Sequence, residues 1–347
     1  MTGGRYRNRR ALVTGGLGFL GSNLTLALLR EGAEVTVVDA LVEGCGGDEA
    51  NLGPARASVT LCHSNIADTR AMADVLPGTE VIFNLAGEVS HVRSVQDPER
   101  DLELNARAHL RFLEACRRWA PQARIVYTST RQVYGRPRYL PVDEEHPTAA
   151  VDFNGVHKLA AESYHRLLSS LYGLPTVCLR LTNVYGPRQA LHLPSQGFIA
   201  VFLARVLTGE DVCVYGDGTQ LRDLLYVDDA VEALLRAGLA PLPAGSSHAT
   251  WNVGGPRALQ LADIARVVAG SRVRQVPFPE DLLPIDIGSY CTDDRRFRAW
   301  TGWAPRVELP EGIARTLAYY RAYVCPENHP ADRPSGASPT VLGTISP

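Results

Sequence analysis

Apolar and polar positions in the first half of the chain follow two alternating periods. Short apolar-rich runs fall at 11–13, 35–39, 59–62, 81–85, 124–129 and 176–181. Each is too short for a stable helix and predicts a buried strand. Between them, 18–30, 101–119 and 156–171 place apolar residues three and four apart, which predicts amphipathic helices. Strands separated by helices predict an α/β fold with a doubly wound parallel sheet covered on both faces.

After about residue 182 the rhythm changes. Loops lengthen, and the predicted elements shorten: helices at 197–208, 228–237, 261–269 and 311–323, strands at 211–214 and 250–253. The pattern predicts a sheet domain over 1–181 and a smaller C-terminal lobe over 182–325, with a cleft between them. Residues 219–232 and parts of 248–256 are expected to pack back onto the sheet domain. No internal repeat is present. Residues 326–347 are rich in Pro, Ser and Gly without periodicity, and a disordered tail is expected there.

Bulk composition excludes several classes. The 347 residues are 45% hydrophobic and 21% charged, with a formal net charge of -2. This balance gives no global attraction to nucleic acid or to anionic membranes. No apolar run approaches the ~20 residues of a membrane span. Seven cysteines are scattered, odd in number and without a CxxC, so they read as reduced thiols of a cytoplasmic protein, and no metal site is expected. The basic start Arg5-Tyr6-Arg7-Asn8-Arg9-Arg10 is followed by a glycine-broken stretch without a cleavage pattern, and an exposed arm is expected.

Chemistry enters at Gly15-Gly16-Leu17-Gly18-Phe19-Leu20-Gly21, which follows the first strand and opens the first helix. Such glycines allow a tight turn and let a pyrophosphate approach the helix N-terminus, where free N–H groups favour an anion. Asp39 ends the second strand, about 20 residues on, where a carboxylate accepts from a ribose 2′-OH and repels a 2′-phosphate. The pair points to a Rossmann-type dinucleotide site and to NAD over NADP. The plainer alternative is a glycine-rich turn beside a solvated Asp, which the strand–turn–helix context disfavours.

Lys158 is the only lysine; the other 34 of the 35 basic residues are arginine. Ammonium is a compact point charge with three rotatable donors, whereas guanidinium is a planar fork. Its segment, Asn154-Gly155-Val156-His157-Lys158, lies downstream of the nucleotide-binding start.

Further segments join these: Asn84-Leu85-Ala86-Gly87, Asn105, Tyr127-Thr128-Ser129-Thr130-Arg131-Gln132-Val133-Tyr134-Gly135, Asn183-Val184-Tyr185-Gly186-Pro187-Arg188, Gly216-Asp217-Gly218 with Arg222-Asp223, Tyr226-Val227-Asp228-Asp229, and Asn252-Val253-Gly254-Gly255. With them the chain resembles, from about residue 9 to 323, the extended short-chain dehydrogenases: NAD-dependent nucleotide-sugar epimerases, dehydratases and decarboxylases. The resemblance implies that NAD lies along Gly15, Gly18, Phe19, Leu20, Gly21, Asp39, Asn65, Ile66, Leu85, Ala86 and Lys158. It implies a nucleoside-diphosphate sugar in the second lobe, near Glu88, Asn183, Arg188 and Arg222, with Asn183 and Arg222 on the diphosphate. It also implies a homodimer through helices 101–119 and 156–171, whose stripes include Leu102, Leu110, Leu113, Leu159, Leu167 and Leu171.

One departure matters for mechanism. The family's acid/base is a Tyr four residues before the Lys, on the same helix face. Here that position is Asn154, and a carboxamide has no accessible pKa. Thr130 matches the residue that orients the reacting hydroxyl, but it is no base unaided. The expected catalytic set is therefore Thr130, Asn154, Lys158 and His157, and three readings stay open. His157, His91, Glu88 or Tyr134 moves the proton; or a water on Asn154 and Thr130 relays it; or the protein binds NAD and a sugar nucleotide without turnover.

Neighbouring residues narrow the reaction. The family's dehydratases carry Asp-Glu after the Thr and its decarboxylases a Glu at the second position, whereas this chain has Arg131-Gln132. Neither residue is an acid, which favours epimerisation by transient oxidation of a sugar carbon. Arg131 also keeps acidic sugars in play. Leu283 stands where many relatives hold the nucleotide with Arg, and Asn65 where many have Asp. The alternatives are a dehydrogenase releasing a keto sugar and an inactive binding homologue.

Overall fold

The computed structural model describes residues 4–193 and 196–324; the expected tail at 326–347 lies outside the described residues. The first half builds β1 (Arg10–Thr14), α1 (Phe19–Arg30), β2 (Glu34–Asp39), β3 (Thr60–His63), α2 (Thr69–Val75), β4 (Val81–Asn84), α3 (His91–Gln96), α4 (Pro98–Leu102), α5 (Ala108–Trp119), β5 (Arg124–Thr130), α6 (Phe153–Tyr172) and β6 (Thr176–Leu181). The second half adds β7 (Asn183–Tyr185), α7 (Phe198–Thr208), β8 (Val212–Tyr215), β9 (Leu221–Tyr226), α8 (Val227–Leu239), β10 (His248–Val253), β11 (Ala258–Gln260), α9 (Leu261–Ala269), β12 (Val273–Val276), α10 (Arg295–Thr301) and α11 (Leu309–Val324).

Seven parallel strands form one sheet in the order β10-β6-β5-β4-β1-β2-β3. Side chains alternate across it. Val13, Val35, Val37 and Phe83 pack towards α1 and α8, while Leu12, Val38, Ile82 and Ile125 pack towards α2, α5 and α6. The winding reverses between β1 and β4, so the turns after these strands open a crevice at their carboxyl ends.

The second lobe carries two small sheets, β11-β9-β7 and β12-β8, packed with α7, α9 and α11. The segments expected to return to the sheet domain divide. β10 pairs with β6 as a sheet strand, α8 packs against α1 and β4, and β9 stays in the small sheet.

One expectation is qualified and two are corrected. The N-terminal arm is exposed at Arg5, Arg7, Asn8, Arg9 and Arg10 but is not free: Tyr6 is buried and donates its hydroxyl to Leu235 O at 2.7 Å, and Arg5 pairs with Glu31 and Glu232. The helix expected at 101–119 begins at Pro98 behind the N-cap Asp97 and contains a π turn at Glu103–Arg107. Leu113 points into the core instead of joining an outer stripe. No described helix is long and apolar enough to cross a membrane, and the described residues hold no group of three or more His, Cys, Asp or Glu able to bind a metal.

Candidate active site

One cleft runs over the carboxyl ends of the strands and between the lobes. Its first wall is the β1–α1 turn. Gly15 has φ +65°, and a Cβ there would meet Ala86 backbone atoms at 3.0 Å. A Cβ on Gly21 would lie 2.1 Å from Gly15 O. Only glycine lets these segments close so tightly. Gly18 is the N-cap of α1 and no side chain caps it, so the N–H groups of the first turn remain for an anion. Asp39 is fixed at the end of β2: Oδ2 accepts from Leu17 N at 3.0 Å and Oδ1 from Leu41 N at 2.9 Å. Gly18, Phe19, Leu20, Asn65, Ile66, Leu85 and Ala86 line the same wall. The cradle, the uncapped helix end and the carboxylate fit NAD.

The second wall is α6. Asp152 caps it, accepting from Gly155 N at 2.7 Å. Asn154 and Lys158, one turn apart, both line the cleft. Lys158 is buried, and burial pulls its ammonium down to about 8, against the opposing pull of Asp101, Glu88 and Glu162. Its Nζ lies 5.4 Å from the Tyr127 ring centroid. Gly87, at φ +144°, leaves it room: a Cβ there would sit 2.5 Å from Asn105 Oδ1 and 3.1 Å from Lys158 Nζ. Asn105 lies in the π turn, and its Oδ1 accepts from Glu88 N at 3.1 Å. The unusual turn thus holds the loop after β4. Thr130 lines the cleft where β5 ends, its Oγ1 accepting from Gln132 N at 3.2 Å.

Asn154 is held on both amide hydrogens. Nδ2 donates to Glu88 O and to Asp101 Oδ2, each at 3.0 Å. Both partners are acceptors, which fixes the amide orientation. Only Oδ1 remains for a hydroxyl or a water.

The third wall is cationic. Arg131 Nη2 donates to Asn183 Oδ1 at 3.0 Å, while Arg131 Nη1 and Asn183 Nδ2 are buried without partners among the described residues. Burial lowers the Arg131 guanidinium below its ordinary range. Arg222 lines the cleft with them; burial, then the nearby Arg131 charge, pull it down to about 10. Arg222 donates to Leu221 O, Gly288 O and Gln220 Oε1, and lies 3.6 Å from Asp286.

Three expected site residues do not line the cleft. His157 turns to α4, with Nδ1 2.7 Å from Asp101 Oδ1. The Glu88 carboxylate folds onto its own loop, accepting from Val89 N and Ser90 N, with Arg93 at 3.7 Å. Arg188 donates to Asn51 O and Asn23 Oδ1 at 2.9 Å each and braces the turn around α1. Tyr134 is also sealed off: its hydroxyl donates to Asn252 Oδ1 and accepts from Arg180. Sequence reading missed Asp101 and Asp152. Asp152 carried a signal, an Asp just before a helix start; Asp101 carried none, because its partners lie more than 50 positions away.

Residues 11–254 match the model of the NAD dependent epimerase/dehydratase family. The chain belongs to that family. Among its relatives, the UDP-glucose 4-epimerase of Mycolicibacterium smegmatis is 36% identical over 320 residues, covering 90% of this chain and 98% of that protein. A dTDP-glucose 4,6-dehydratase from an Actinoplanes species is 31% identical, covering 90% of this chain and 98% of the relative. The crystal structure of UDP-glucose 4-epimerase from Thermotoga maritima with UDP-glucose superposes with a TM-score of 0.81 at 30% identity, over 91% of this chain and 99% of that one. NAD is the family's cofactor, and the glycine turn with Asp39 is where this chain would hold it.

Proposed function

We propose that the protein is an NAD-dependent epimerase of a nucleoside-diphosphate sugar. One observation carries the reading: a single cleft joins the glycine turn, Lys158 and Thr130 to the cationic wall of Arg131, Asn183 and Arg222. NAD, when bound, supplies a hydride acceptor and donor, so a sugar carbon is oxidised and re-reduced with no net redox change. Lys158 offers its ammonium to ribose hydroxyls, and Thr130 orients the reacting hydroxyl. The unpartnered Arg131 Nη1 and Asn183 Nδ2, beside Arg222, fit the diphosphate of the substrate or an acidic sugar. Elimination of water or carbon dioxide is disfavoured. Neither Arg131 nor Gln132 is an acid, and Gln132 Nε2 is engaged by Asp152 at 3.0 Å.

The same reading includes a homodimer. Leu102, Leu110, Phe153, Val156, Leu167 and Leu171 are exposed on α4, α5 and α6, an apolar face that a second copy would cover. The six described cysteines are free thiols, which suits a cytoplasmic protein.

The relative from M. smegmatis makes UDP-hexoses the first substrates to test. The purified protein is extracted for bound nucleotide and incubated with UDP-, dTDP- and CDP-sugars, with products followed by NMR and NADH by absorbance. Interconversion of two epimers without net NADH is expected. Net NADH accumulation would instead make it a dehydrogenase. Tight binding without conversion of any sugar would leave only the non-catalytic reading. NADP as the dominant bound species would overturn the role given to Asp39.

A further inference from the structure

We infer that His91, held by Asp152, takes and returns the proton of the reacting sugar hydroxyl. This rests on the epimerase reading above. Asn154 cannot do it, because its amide is locked by Asp101 and Glu88 O and a carboxamide has no accessible pKa. His157 faces Asp101 outside the cleft. The Tyr134 phenol is buried, pushed up to about 12, and bonded on both sides. Among the described residues, His91 is the one histidine lining the cleft, together with Thr130, Gln132, Asn154 and Lys158.

His91 stands between the cleft and a buried carboxylate. Its Nδ1 lies 3.0 Å from Asp152 Oδ2, an ion-pair contact whose angle does not make a hydrogen bond, so Nδ1 is buried without a hydrogen-bond partner among the described residues. That carboxylate is buried, accepts from Gly155 N and Gln132 Nε2, and sits at the N-terminus of a 20-residue helix. Burial alone would raise Asp152, but the His91 imidazole, the Gly155 N–H and the Gln132 amide hold it below the ordinary carboxylate range. An ionised Asp152 beside Nδ1 favours the proton on that nitrogen once the ring turns into line with the carboxylate, which leaves Nε2 as the acceptor. One carboxylate thereby joins the base to the helix carrying Asn154 and Lys158 and to the residue that anchors Thr130.

Other charges near His91 have partners elsewhere. On its own helix, Arg93 reaches Gly44 O and Glu88. On α4, Arg100 donates to Glu43 O, and Asp101 faces Asn154 and His157. Lys158, Arg131 and Arg222 are the cations that share its cleft.

The step balances. The hydroxyl O–H bond breaks and an N–H bond forms at His91 Nε2, giving an imidazolium beside the Asp152 carboxylate. The hydrogen on the same carbon leaves with its electron pair by the cofactor chemistry named above. Return of the pair and of the proton regenerates neutral imidazole and the hydroxyl. Asp152 is a positioning residue and gains no proton.

The test compares wild type, His91→Ala and Asp152→Asn, all with retained NAD, using the sugar nucleotide that wild type converts. His91→Ala is expected to lower kcat by about 10²- to 10⁴-fold with unchanged NAD retention and sugar-nucleotide Kd. Added imidazole should restore part of the rate, and the acid limb of the pH–rate profile should vanish. Asn still caps α6, so Asp152→Asn should fold, lower kcat more than it raises KM, and move that limb. Nitrogen-15 NMR of the NAD-loaded, sugar-free protein should show His91 as the Nδ1–H tautomer in wild type and as a mixture in Asp152→Asn, a readout independent of turnover. Full activity in His91→Ala, loss without imidazole rescue, or an Nε2–H tautomer in wild type would overturn the assignment while leaving the epimerase reading intact. No conversion of any sugar by wild type would fell the epimerase reading and this one with it.

Discussion

Asn154 Nδ2 donates to Asp101 Oδ2 at 3.0 Å, while the other oxygen of that carboxylate faces His157 Nδ1 at 2.7 Å. Asp101 thus ties two consecutive-turn residues of α6 to α4 and aims only the amide oxygen of Asn154 into the cleft. The arrangement explains how a carboxamide sits beside Lys158 as a fixed acceptor.

Asn154→Asp should be strongly destabilising. The new carboxylate would face Asp101 and Glu88 O with no donor between them, costing about 3–5 kcal/mol at pH 7. Two close carboxylates raise one pKa above its unfolded value, so the penalty is present above that raised pKa and fades as pH falls towards about 4. Thermal melts between pH 5 and pH 8 check this: the gap to wild type should narrow at the acid end.

Lys158→Met should separate stability from function. Burial holds the wild-type ammonium down at about 8 from an ordinary 10.5. The unfolded chain therefore binds more protons between these values, and wild-type stability rises with pH across that window. Below about pH 8 the cofactor-free protein carries a penalty of about 3 kcal/mol. In Lys158→Met the melting temperature of the cofactor-free protein at pH 7 should rise and the alkaline gain should disappear. Retention of NAD should fall sharply. A lower melting temperature at pH 7 would show that Asp101, Glu88 and Glu162 outweigh desolvation.

Arg131→Ala should weaken sugar-nucleotide binding by about 10- to 100-fold, since a charged hydrogen bond is worth about 1.5–3 kcal/mol. NAD retention should not change. Calorimetric titration of both ligands checks the separation, and an equal loss of NAD would move Arg131 to a structural role.

The apolar face on α4, α5 and α6 should govern assembly. Light scattering at micromolar concentration is expected to give a dimer mass for wild type. Leu171, 68% exposed, is the clearest position to charge. Leu171→Glu combined with Val156→Glu should give a monomer that keeps its melting cooperativity, because neither side chain contributes to the described core.

Local spacing determined much of this protein. A glycine turn after a β strand, an Asp at the end of the next strand and a four-residue step from Asn154 to Lys158 are short-range features. Backbone geometry alone fixes what such features present, so the sheet, the glycine turn with Asp39 and the Lys158 face were legible in the chain. The long periodic helices were legible for the same reason. The short elements β7, β11, β12, α2, α3 and α10 span too few residues to display a clear period, and they went unread; β9, as long as β2, went unread because Arg222 and Asp223 interrupt its apolar run. Tertiary structure decided the rest. Whether His91 or His157 meets the cleft depends on which carboxylate each imidazole finds, Asp152 or Asp101, and both lie more than 50 positions from their partners. Periodicity places a side chain on a face of its own helix. Only packing between distant elements decides what that face meets, because burial makes an unpaired polar group costly and drives most of them onto the partners that the fold brings near, exceptions such as Arg131 Nη1 and Asn183 Nδ2 lying at the cleft.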